Sequence, residues 1–157
     1  MNTKELGDLS PTNFDGKTDK KNIGRKSNSK LVGDEGERIA CQYLVKKGYN
    51  IIAKKYWISF GEIDIIAKKR WRFFVKNYKT IHFIEVKTII GNDNNFFPEE
   101  KVNYKKQKKL RQLSQIWLEN NKFPQYYPCQ IDIIGVLIGQ NSKKAQIHFF
   151  QNVVEDK

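Results

Sequence analysis

Three charged residues stand inside stretches whose neighbours are mostly aliphatic. Asp64 lies in Gly61-Glu62-Ile63-Asp64-Ile65-Ile66-Ala67, and Glu85 and Lys87 lie in Phe83-Ile84-Glu85-Val86-Lys87-Thr88. Strand alternation puts Glu85 and Lys87 on one face and Ile84 and Val86 on the other, so a carboxylate and an ammonium stand side by side. If Asp64 lies on a neighbouring strand, two carboxylates and a lysine converge. Hard oxygen ligands with room for water suit Mg2+ or Mn2+, which rarely take a full protein cage. Such a cation acidifies water and neutralises charge on a phosphoryl oxygen, while a lysine orients the attacking water or stabilises developing negative charge. The set suits phosphodiester hydrolysis. It equally fits a Glu–Lys cross-link on an exposed strand face, and the triplet by itself does not separate the two.

Other chemistries have less in the sequence. His82 and His148 sit in strand-like segments, with no Ser, Thr or Cys at a spacing that suggests acyl transfer. No glycine-rich phosphate loop is present. Cys41 and Cys129 stand apart, outside any CxxC or Cys/His cluster, and read as small core residues in a reducing compartment.

The elements that must position the charged set follow from periodicity. Gly36, Ala40, Tyr43, Leu44 and Lys47 recur at helical spacing from Val32, and Gly48 supplies a stop. Asn50 to Trp57, Gly61 to Lys69 and Ile81 to Thr88 read as strands, the last two joined by a basic and aromatic turn from Arg70 to Thr80. After a polar loop with Gly91 and Pro98, Val102 to Asn121 has a strong helical period, and strands follow near Gln130 to Ile138 and Ala145 to Phe150. The order helix, three strands, helix, two strands predicts an α/β fold with a central mixed sheet flanked by helices. Residues 1–30 are polar and aperiodic, which predicts a disordered basic arm ahead of one domain over 31–157.

In the second helix Val102, Leu110, Leu113 and Trp117 form an apolar stripe on which Lys106 also falls. Its stem can pack on apolar groups while its ammonium reaches toward the carboxylates, or it can simply snorkel over the core. Lys105, Lys108 and Lys109 are assigned to other faces, as a solvated or phosphate-tracking surface.

An acid, a spacer and then Glu-Val-Lys on a following strand resembles the PD-(D/E)XK nuclease superfamily. Gly33-Asp34-Glu35-Gly36-Glu37-Arg38-Ile39-Ala40, Gly48-Tyr49, and the Asp64 and Glu85 segments resemble, in order, the motifs of the bacterial YraN-like family, from about Leu31 to the C-terminus. The resemblance implies a restriction-endonuclease-like fold similar to that of archaeal Holliday-junction resolvases. It implies a Mg2+- or Mn2+-dependent endonuclease acting on DNA, in which branched forms are candidate substrates. Glu37 becomes the helix-borne acid, Asp64 and Glu85 the metal carboxylates, the Val86 carbonyl a further ligand and Lys87 the catalytic lysine, and a recurrent lysine falls at Lys106. Apart from the resemblance, Glu37 also reads as an ordinary glutamate favoured by the helix dipole. The sequence departs from the family in the long Arg70 to Thr80 turn, in Ile89 where an arginine is usual, and in the Asn- and Lys-rich arm.

Lysine and arginine number 29 against 17 acidic residues, a formal net charge of +12. Such a balance favours polyanions, nucleic acid before an anionic membrane surface. A lysine-rich proteome would also produce it. No apolar h-region follows Met1, and the longest apolar run, near Ile133 to Ile138, is too short to span a bilayer, so a cytoplasmic protein without a membrane partner is expected. DNA is favoured over RNA, and a homodimer is left open. The alternative to an enzyme is a nucleic-acid-binding module that keeps the nuclease fold with little or no turnover; the full catalytic set favours the enzyme.

Overall fold

A computed structural model of the chain describes residues 25–70, 79–91, 98, 102–140 and 145–153. In order these form α1 (Arg25–Lys46), β1 (Tyr49–Ile58), β2 (Gly61–Lys69), β3 (Ile81–Ile90), α2 (Tyr104–Asn120), β4 (Cys129–Ile138) and β5 (Ala145–Phe150). The fold is α/β, as the element order predicts. The arm expected over residues 1–30 falls mostly outside the described residues, and its last six residues lie in helix α1. Helix α1 begins at Arg25 rather than near Val32, because no proline or glycine interrupts the chain between Gly24 and Gly33. The 70–80 turn also lies largely outside the described residues.

The strands form a sheet in the order β1-β2-β3-β4-β5. Strands β1, β2 and β3 run antiparallel, β3 and β4 run parallel from Ile81↔Cys129 to Ile90↔Ile138, and β5 returns antiparallel to β4. The parallel pair requires a crossover, and α2 lies within it. Strands at the centre of such a sheet are covered on both faces and read as continuous apolar runs. In β3, Ile81 to Val86 are all buried, and in β4 so are Ile131 to Leu137.

Two core layers follow. On one side Ile39, Ala40, Tyr43 and Leu44 of α1 pack on Ile65, Ile84, Ile134 and Ile147. On the other Leu110, Leu113, Trp117 and Leu118 of α2 pack on Ile63, Ile66, Phe83 and Ile133. Each fully buried leucine contributes roughly 1.5–3 kcal/mol of transfer free energy. Trp117 meets Phe83 edge-on, with ring centroids 5.6 Å apart. Helix α2 is capped by Asn103, whose side chain accepts the Lys106 N–H at 3.0 Å. Helix α1 ends at Gly48, whose φ of 85° is the left-handed value that glycine adopts without strain. Among the described residues no helix is long and apolar enough to cross a membrane.

Candidate active site

The candidate site is built where β2 leaves β3. Their ladder runs from Lys68↔Ile81 to Ile65↔Ile84, after which β2 continues with β1 alone into a hairpin closed at Ile58↔Gly61. Strand β3 instead carries on beside β4 to Ile90. Asp64 is the first residue past the fork. Its Oδ2 accepts the Val86 N–H at 2.7 Å, replacing the carbonyl that the ladder no longer supplies. In extended backbone a residue's N–H and C=O leave the same strand edge, so the Val86 carbonyl opens into this fork as well.

Glu85, only 2% exposed, is held by two lysines. Lys87 Nζ donates to Oε1 at 2.7 Å from two residues along the strand. Lys106 Nζ stands 2.9 Å from Oε2, an ion pair by distance whose approach lies outside hydrogen-bond directionality. Removing a carboxylate from water without such partners would cost several kcal/mol. Burial, with the Glu85 charge second, pushes the Asp64 carboxyl up to about 7 against the lowering effect of the Val86 N–H. The geometry therefore brings Asp64, Glu85, Val86, Lys87 and Lys106 together.

Glu37 reaches the same cleft from α1. This opening of about 540 Å³ is lined by Glu37, Glu62, Asp64, Glu85, Lys87 and Thr88, among others. Burial raises the Glu37 pKa, opposed by Lys55, whose Nζ lies 3.6 Å from Glu37 and also pairs with Asp34. Gly36 sets how closely α1 approaches, since a Cβ there would overlap the Thr88 side chain. Ile89, at the position where the resembled family usually has arginine, lines the cleft too.

The other lysines of α2 divide. Lys105 and Lys108 are exposed. Lys109 is half-buried, its stem lying over Gly61 against the hairpin. That contact was not foreseen because it depends on how the hairpin folds over α2. Glu62 was also missed as a cleft residue, although its place two residues before Asp64 was a signal. His82 is buried in β3, with Nδ1 2.7 Å from Asp132 Oδ2.

Among the described residues no three His, Cys, Asp or Glu side chains stand together as a metal cage. The donors that do converge are two carboxylates and a backbone carbonyl. That set fits a cation that keeps most of its water, as Mg2+ does. Burial first and the Glu85 charge second hold the Asp64 carboxyl up, and a divalent ion would offset both by favouring its ionised form.

An α/β chain with a carboxylate–lysine cleft at a strand fork is the class that fold and site define. The model of the uncharacterised protein family UPF0102 matches residues 36–136, and the chain belongs to that family, the one its YraN-like motifs indicated. A UPF0102 protein of Caldanaerobacter subterraneus is 43% identical over 115 residues, covering 73% of this chain and 85% of the relative. One from Desulforamulus reducens is 35% identical over 125 residues, covering 80% and 96%. Among solved structures, Pyrococcus furiosus SfsA in complex with Ca2+ aligns with a TM-score of 0.36 and 14% identity, over 82% of this chain and 65% of that one.

Proposed function

We propose that the chain is a metal-dependent endonuclease that hydrolyses phosphodiester bonds in nucleic acid, DNA before RNA, with branched DNA among the candidate substrates. The observation that carries this reading is the convergence of Asp64 Oδ2, the Val86 backbone and a buried Glu85 clamped by two lysines. It is what separates the reading from a surface Glu–Lys cross-link, because a buried cluster is costly to keep without use. The motif order and the strand fork agree with the restriction-endonuclease-like core that the PD-(D/E)XK resemblance implies.

Asp64, Glu85 and the Val86 carbonyl would hold Mg2+ or Mn2+, which when bound neutralises charge at the phosphoryl group. Lys87 orients an attacking water or stabilises charge as the bond breaks. Lys106 holds the second oxygen of Glu85 in place, and Lys105 and Lys108 track phosphates from the exposed face of α2. The test uses labelled single-stranded, duplex, flap and four-way-junction DNA with Mg2+ or Mn2+. Cleavage by the wild type is expected, with loss of turnover and retained binding in Asp64→Asn and Glu85→Gln. Full activity in either variant, with contaminating nuclease excluded, would overturn the assignment. Binding by the wild type without cleavage of any substrate would leave the non-enzymatic module.

A further inference from the structure

A second concavity lies on the other side of the β1–β2 hairpin. This open groove of about 1110 Å³ runs between the hairpin turn and the flank of α2, and is lined by Phe60, Arg111, Gln112, Gln115, Gln130 and Asn152, among others. Three observations give it a chemistry. No acidic side chain is among its described lining residues, in a chain of net charge +12. Arg111, on the groove wall, has a buried Nε with no hydrogen-bond partner, and no carboxylate pairs with its guanidinium among the described residues. Phe60, at the hairpin turn, is 41% exposed, an aromatic ring in a groove whose other walls mix amides with Ile116, Cys129 and Ile131.

A guanidinium on a groove wall without a carboxylate partner is shaped to take a phosphate by two parallel hydrogen bonds. An exposed ring lining the same groove offers a stacking surface that any base can use. We infer that this groove holds an unpaired nucleic-acid strand, with Phe60 stacking on a base and Arg111 pairing with a phosphate. The path to the cleft is short. Gly61 follows Phe60 directly and Lys109 lies over it, and the four residue steps from Phe60 to Asp64 span roughly 13 Å of strand. About four stacked nucleotides cover that distance. The inference rests on the nuclease reading only for what lies at the far end of the strand; the groove's own affinity does not depend on it. It gives the site a substrate class, a duplex carrying a single-stranded branch of at least about four nucleotides.

The experiment measures binding by fluorescence anisotropy in EDTA, using the full chain with labelled 12-nucleotide single strands, a blunt duplex, and duplexes with unpaired tails of zero to eight nucleotides. Wild-type affinity is expected to rise once the tail exceeds about four nucleotides. Phe60→Ala and Arg111→Met should each weaken single-strand and tailed-duplex binding about fivefold or more, leaving blunt-duplex binding within about twofold. Arg111→Lys should recover part of the loss, which controls for misfolding. Equal loss on all substrates, or none, overturns the inference, as does a change of oligomeric state in either variant, which would make the groove a protein interface. If the wild type cuts nothing with Mg2+ or Mn2+ while the tail dependence stands, the nuclease reading fails and the groove survives. If cleavage proceeds and the tail dependence is absent, the groove alone fails.

Discussion

At Asp64, burial and the Glu85 charge act in the same direction and hold the carboxyl near 7 against an ordinary value of 3.8. The sign of the consequence is fixed by linkage. A carboxyl whose folded pKa is raised contributes stability that is fully present below its unfolded value and is lost as pH rises through the folded one. The metal-free protein should therefore lose stability between about pH 4 and pH 7 on account of this group. A divalent ion needs the ionised form, so the thermal shift produced by Mg2+ should be small near pH 5 and grow through about pH 7. Asp64→Asn keeps an acceptor for the Val86 N–H without the charge, and should raise the metal-free Tm at about pH 8 while removing that growth. A pH-independent shift, or one unchanged in the variant, would place the ion elsewhere. Lys106 makes a second case. Lys106→Met removes the ammonium beside Glu85 Oε2 and should lower the single-turnover rate at saturating DNA by about tenfold or more, near 1.4 kcal/mol in the barrier. Lys109→Met should mainly weaken binding and its salt dependence. A wild-type rate in Lys106→Met would assign that lysine to the packing of α2.

Two contacts between elements decide whether these residues meet. Gly36 lets α1 lie against Thr88 of β3 without a Cβ between them. Gly36→Ala should cost about 1–3 kcal/mol by overpacking, lower the Tm, and pull Glu37 away from the cleft; adding Thr88→Ala should return part of the loss. Full stability in the single variant would show that α1 can shift freely. The Asn103 cap has a similar role, since it binds the N–H of the lysine that reaches Glu85. Asn103→Ala should cost about 1 kcal/mol, and an unchanged melting curve would discount the cap. The sequence revealed much at this scale. Glu85 and Lys87 could be placed on one face because alternation is a local rule, and Lys106 could be singled out because a lysine on an apolar stripe is anomalous. Lys109 could not be placed, since its contact with Gly61 depends on the hairpin folding over α2, and Phe60 and Arg111 come to line one groove only through the same fold. The early start of α1 was hidden because Arg25 to Lys30 carry no apolar period.

Across the whole molecule, the start of the parallel β3–β4 pair is tied to the chain after β5 by Asp132. Its Oδ2 meets His82 Nδ1 at 2.7 Å, and its Oδ1 accepts Gln130 Nε2 at 2.6 Å and the Asn152 N–H at 2.8 Å. One fully buried carboxylate thus joins β3, β4 and the segment after β5. Asp132→Ala should strand three partners at once and cost about 3–5 kcal/mol, read as a large fall in the denaturation midpoint; a loss below about 1 kcal/mol would show that water replaces it. No pattern in the sequence announced this pair, because His82 and Asp132 lie 50 residues apart and meet only through the β3–β4 register. The borders of the sheet have a different consequence. Strand β1, at one border, breaks register between Ile51 and Ala53, turns through a left-handed Lys55 and exposes Lys54 and Lys55. Such a border is a poor template for another chain, which leaves β5 as the border open to extension among the described strands. Stacking β1 of one copy on β5 of the next is a head-to-tail contact that builds rings or open filaments, whereas β5 on β5 closes at two. The kink in β1 thus works against fibre growth through the sheet.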